Sequence, residues 1–168
     1  IKINFIIALI VSLTSVSYAC NFLKESMGTS IATLGDRYDE FTLSAEDDYG
    51  DETVLVEYDT SYVCDEPLLN ETYLKIYVRE KKLIGIQIEA LEAKNTNKIY
   101  QFAKNNFGLD DEKVKAEEWV GVIDLSFGDS VILYGKIDEP DGIYETLELT
   151  NVEYQDYLIK GDILEITN

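Results

Sequence analysis

The chain has 168 residues, 33 acidic and 14 basic, for a net charge of −19, and it contains no histidine. So acidic a surface repels phosphate backbones and anionic headgroups, which argues against nucleic acid and anionic lipid as partners. Mechanisms that need imidazole as base or metal ligand are excluded outright.

Residues 1–19 read as a secretory signal peptide: Lys2 opens it, Phe5 to Leu13 is uncharged and apolar, and Ser17-Tyr18-Ala19 offers a cleavage site. The apolar run is shorter than the about 20 residues a membrane span needs. Cleavage after Ala19 predicts a periplasmic or secreted protein of roughly 150 residues, an ordinary size for one domain. The two cysteines, Cys20 and Cys64, then form an even pair in an oxidising compartment, which favours a disulfide. The alternative is a lipid anchor on Cys20 with Cys64 free. It is disfavoured because Tyr18 is bulky where lipoprotein leaders carry a small residue.

Ser26 to Phe41 carries an apolar stripe, Ile31, Leu34, Tyr38 and Phe41, and reads as a helix capped by Thr29 or Ser30 and weakened by Gly35. Ser44 to Glu52 is an acidic loop, and Thr53 to Asp59 a strand with Val54, Val56 and Tyr58 on one face. Cys64 to Asn70 is a connector. Glu71 to Ala90 is a hairpin: both arms alternate, with Leu74, Ile76 and Val78 on one side and Tyr73, Lys75, Tyr77 and Arg79 on the other. Thr96 to Phe107 is a second helix, capped by Asn95 or Thr96 and closed by Gly108. Glu118 to Leu125, Ser130 to Asp138 and Ile143 to Thr150 are strands, joined by turns at Ser126 to Asp129 and at Pro140-Asp141-Gly142. Asn151 to Tyr157 reads equally as a short helix or a loop, and Ile163 to Ile166 as a last short strand.

Helices and strands in separate runs predict an α+β fold, an antiparallel sheet with two packed helices. The shared order admits a degenerate α-βββ duplication, with halves at 20–92 and 93–168 inside one domain spanning 20–168.

The remaining chemistry belongs to carboxylates. Glu117 and Glu118 beside Trp119 have the residue types of a glycan-cleaving pair, although a core tryptophan next to solvated acids explains them more simply. Asp47, Asp48, Asp51 and Glu52 surround Gly50 and are oxygen ligands suited to calcium, but they lack the spacing of a helix-loop-helix calcium loop. No phosphate loop or dinucleotide fingerprint is present. No cofactor and no catalytic residue is expected.

Gly28-Thr29, an apolar helix stripe and Leu34-Gly35-Asp36 before antiparallel strands resemble small envelope lipoproteins that assist outer-membrane barrel assembly. The β-lactamase inhibitor fold shares that helix-then-sheet order. Asp36 stands where those lipoproteins carry proline. Ser130 to Thr150 is similar to two strands of secreted OB-fold barrels. Neither resemblance transfers a functional residue. The function expected is that of an exported, acidic, non-enzymatic binding protein. Its partner would be a protein or envelope component, held by Tyr73, Lys75, Tyr77 and Arg79 with Tyr49 and Tyr58 adjacent. The alternatives are a small carboxylate-dependent glycan hydrolase and a calcium-stabilised envelope structural protein.

Overall fold

Alternating apolar residues build most of this molecule. The computed structural model describes residues 20–38, 41, 43, 50–93, 97–115, 119–160 and 163–166. In chain order these form helix α1 (Ile31–Arg37), strands β1 (Thr53–Asp59), β2 (Thr72–Arg79) and β3 (Lys82–Ala90), helix α2 (Lys98–Phe107), strands β4 (Gly121–Phe127), β5 (Ser130–Glu139) and β6 (Gly142–Asn151), helix α3 (Gln155–Lys160) and strand β7 (Ile163–Ile166). The fold is α+β, on one sheet ordered β4-β5-β6-β3-β2-β1-β7. Six strands pair antiparallel, as expected, while β7 runs parallel to β1. Helix α3 carries the chain from β6 over β2 and β3 toward the outer side of β1, where β7 adds.

The sheet consists of two meanders, β1-β2-β3 and β4-β5-β6, joined where β3 pairs antiparallel with β6. That junction makes the strand order twofold-symmetric, with α1 preceding one meander and α2 the other. On one face Val54, Ile76, Ile86, Leu149, Ile132 and their neighbours form a continuous core. Helix α1 adds Ile31 and Leu34, and α2 adds Ile99, Phe102, Ala103 and Phe107. Each large aliphatic side chain buried there contributes about 1.5–3 kcal/mol.

The first helix is shorter than its stripe predicts. Residues before it pair with β3 instead: the Gly28 amide donates to the Leu83 carbonyl at 2.7 Å, and the Leu83 amide to the Thr29 carbonyl at 2.8 Å. Gly28, at φ +92°, makes the bend that allows this. Ser30 Oγ then accepts from the Thr33 amide at 3.2 Å and caps α1. Helix α2 begins at Lys98, after a left-handed Asn97, and ends at a left-handed Gly108, as the sequence predicts; Asn95 and Thr96, the expected caps, lie outside the described residues. The hairpin turns through Glu80 and Lys81, both at positive φ. That pair of conformations suits the sheet twist, yet neither residue type announces it.

A disulfide joins Cys20 to Cys64. It pins the short turn Asn21–Lys24, whose Phe22 and Leu23 are buried. Phe22 meets Tyr38 edge-on at 5.0 Å. Among the described residues no helix is long and apolar enough to cross a membrane.

Two phenols in this framework resist ionisation. Burial, then the hydrogen bond to Glu25, holds Tyr38 well above the usual tyrosine range; burial, then the Glu145 charge, does the same for Tyr134. The unfolded chain releases these protons near pH 10 while the native state keeps them. Their contribution to stability is therefore intact below pH 10 and is lost as pH rises beyond it. Ultraviolet titration should show both ionising only together with loss of near-ultraviolet dichroism. Free ionisation in the native state would contradict their placement.

Candidate functional site

Among the described residues, two surfaces bear most directly on binding. The first is the sheet face opposite α1 and α2. Alternation along β2 brings Tyr73, Lys75, Tyr77 and Arg79 onto it in one row. The neighbouring strand β3 then engages two of them. Lys75 Nζ donates to Glu89 Oε2 at 2.6 Å, and Tyr77 Oη donates to Gln87 Oε1 at 2.8 Å. At the far end α3 lies over the sheet: the Arg79 guanidinium sits 4.4 Å from the centre of the Tyr157 ring. Leu158 rests on Gly85, where a Cβ would come within 2.7 Å of Leu158 Cδ1. Tyr73, 39% exposed, and the half-buried Lys75 are the members left away from α3. In the middle of this face Glu148 stands between Gln87 and Leu133, and burial pushes its carboxyl above the usual range.

Tyr58 is not beside this row. Its ring belongs to the core on the opposite face, because it shares the parity of Val54 and Val56. Tyr49, Asp47, Asp48, Glu117 and Glu118 lie outside the described residues. Asp51 and Glu52 are exposed, and among the described residues no group of three acids or cysteines is placed to hold a metal. Trp119 packs parallel to the Tyr134 ring at 6.3 Å, as a core tryptophan does.

The second surface is a cleft of about 520 Å³ on the helix side. Ile132 and Leu149, cross-strand neighbours on β5 and β6, form its floor. Leu23 and Met27 wall it on one side and Phe107 at the end of α2 on the other. Lys24 and Asp129 stand at its rim, with Ser130 and Asn151 between. The volume falls in the range of small-ligand sites, and the apolar floor is ringed by polar and charged side chains.

Local structure holds the N-terminal wall rigid. The disulfide anchors it at Cys20. Glu25 accepts from Arg37 Nη1 at 2.6 Å and from Tyr38 Oη at 2.7 Å, and the Gly28 bonds to β3 fix its other end. The twofold image of the cleft, at Thr72 on β2 and Ala90 on β3, has closed to about 30 Å³ around Leu68, Lys98 and Ile99. The two halves are alike in topology and unlike in what they leave open. No periodicity unites residues 23–27, 106–107, 129–132 and 149–151. The polar ends Ser130 and Asn151 of two alternating strands are the one local sign of the cleft.

A third polar group serves the fold. Lys136 and Glu145, each 1% exposed, face each other across β5 and β6. Glu145 Oε2 accepts from the Ile99 amide at 2.8 Å, and Oε1 from Tyr134 Oη at 3.2 Å. Lys136 Nζ donates to the Val114 carbonyl at 3.3 Å. Glu145 thus caps α2, a task that Asn97, with no side-chain cap bond, does not perform. Burial raises the Glu145 carboxyl, opposed by those hydrogen bonds and by Lys136.

No protein-family model, curated protein or solved structure matches this chain.

Proposed function

We propose that this is an exported, disulfide-stapled, non-enzymatic binding protein whose ligand site is the cleft between the N-terminal segment and the second meander. The observation that carries this reading is the open, ligand-sized cleft, set against its filled twofold image. Export is supported by the leader pattern of residues 1–19 and by the Cys20–Cys64 bond, a type of link that persists in oxidising compartments. Binding rather than hydrolysis is favoured because the cleft's shielded acid, Glu25, is engaged by Arg37 and Tyr38. The other acid on its rim, Asp129, is exposed, and glycan cleavage requires a second carboxylate close to the first.

The test is a thermal-shift screen of the oxidised protein against small amphipathic metabolites. At least one compound should raise the melting temperature by several degrees. Ser130→Trp, which fills the cleft from its rim, should abolish that shift, while Lys75→Glu on the opposite face should leave it unchanged. A shift that survives Ser130→Trp and vanishes in Lys75→Glu would move the site to the sheet face. Turnover of a cell-wall glycan by the same preparation would favour the hydrolase instead. Mass spectrometry of the mature N-terminus tests export: an oxidised Cys20 start supports it, and an intact leader with both thiols reduced refutes it.

A further inference from the structure

The two outer edges of the sheet are treated differently. β1, the outermost strand of the first meander, is covered by β7 from its own chain. Its twofold counterpart β4 ends the sheet, and among the described residues nothing pairs with its outer side. An edge strand turns unpaired amides and carbonyls outward, and proteins commonly guard such edges with lysine, proline, a bulge or a very short strand. The only such guard on β4 is the charge of exposed Asp124 at its middle. The strand runs seven residues, Gly121–Phe127, carries no lysine, arginine or proline, and pairs with β5 without a shift in register.

The side chains along this edge are also unusual. Val120, Val122 and Ile137 are 46%, 65% and 43% exposed. Val122 and Ile137 lie on the same face, because Val122 pairs with Gly135 two residues before Ile137. Gly135 gives Val122 room to lean over β5: a Cβ there would sit 3.5 Å from Val122 Cγ2. The edge therefore offers backbone hydrogen bonds and, at its Val122 end, an apolar patch continued by Ile137 of β5, followed along the strand by Asp124 and Ser126; backbone pairing and side-chain selectivity are the two elements of strand addition.

A second copy of the chain is a poor occupant. Two β4 strands paired antiparallel about their midpoint would set Asp124 opposite Asp124, and like charges directly across a ladder destabilise it. A net charge of −19 per copy adds long-range repulsion. We propose that the β4 edge receives an extended, cationic segment of a partner protein, with a lysine or arginine set against Asp124 and apolar residues over Val122 and Ile137. The inference is independent of the cleft, which lies on the other face of the sheet.

Fluorescence anisotropy with a labelled peptide of alternating valine and lysine or arginine tests it on the oxidised full chain. Binding should be saturable. It should weaken at least tenfold when glutamate replaces the basic residues, and equally when alternate peptide nitrogens are methylated. Asp124→Lys, at an exposed position, should melt as wild type does and reverse the preference toward the acidic peptide. Equal binding of the methylated peptide would overturn the proposal, since it would show attraction of charge without strand pairing. So would absence of binding, or a dimer in sedimentation that Asp124→Lys strengthens.

Discussion

Replacing Glu145 with alanine is expected to destabilise the fold by about 3–5 kcal/mol, the cost of removing one member of a buried charged group and leaving the others without it. Three partners lose their counterpart at once: the Ile99 amide at the start of α2, the Tyr134 phenol and the Lys136 charge across the ladder. Glu145→Gln keeps an acceptor for the Ile99 amide, and its new amide N–H donates to Tyr134 Oη in reversal of the native bond, so it should cost about 1–2 kcal/mol, the scale of one charge-assisted bond. The two variants separate hydrogen bonding from charge, and urea denaturation reads both. The pH dependence has a definite sign. Burial raises the Glu145 carboxyl in the folded state, so between its unfolded and folded titrations the native state holds a proton that the unfolded chain has released. Wild-type stability from this group falls as pH rises above the usual glutamate range and then levels off. Glu145→Gln removes that fall, so the gap between the two proteins should narrow from mildly acid to neutral pH. A gap that widens would place an ionised, stabilised carboxylate at this position.

Reduction of the Cys20–Cys64 bond is the second large effect. The cysteines are 44 residues apart, and closing a loop of that size stabilises by about 4 kcal/mol in the chain-entropy view. Chemical denaturation with and without reductant, or of Cys64→Ser, should recover a loss of that order. On the proposed binding role the loss also reaches the cleft, because the bond anchors the segment that forms one of its walls. Reduced protein below its melting temperature should therefore lose the ligand-induced thermal shift while retaining most of its secondary structure by circular dichroism. A shift that survives reduction would show that the Glu25, Arg37 and Tyr38 contacts hold the wall unaided.

Period-two alternation is the strongest signal in this chain, and it located the strands well. Thr53 to Asp59 and the hairpin arms ending at Arg79 and Ala90 appear as read, because each turns an aliphatic row onto the core face; Leu55, paired with Tyr77 on the other face, and Ile84, at the register shift of β3, are buried as well. The helix ends were less legible. The stripe from Ile31 to Phe41 says nothing of Gly28 and Thr29 pairing with β3, a long-range contact that competes for the same backbone groups. The cap of α2 comes from Glu145, 46 residues away from Ile99, and a strand residue carries no mark of that role. The residues Tyr73, Lys75, Tyr77 and Arg79 share one face of β2, as alternation dictates. Their neighbours Glu89, Gln87 and Tyr157 come from β3 and α3, and alternation within β2 cannot supply them. The cleft was invisible for the same reason. Four short segments meet there, each ordinary alone.

The placement of β7 bears on how the molecule assembles. Val54 is partnered by Leu164, about a hundred residues further along, and so distant a pairing slows folding. A ribosome would expose the flank of the first meander throughout synthesis of the second, since the segment that seals it emerges late. On the proposed export route, that lag would keep the polypeptide pliable until it has crossed the membrane.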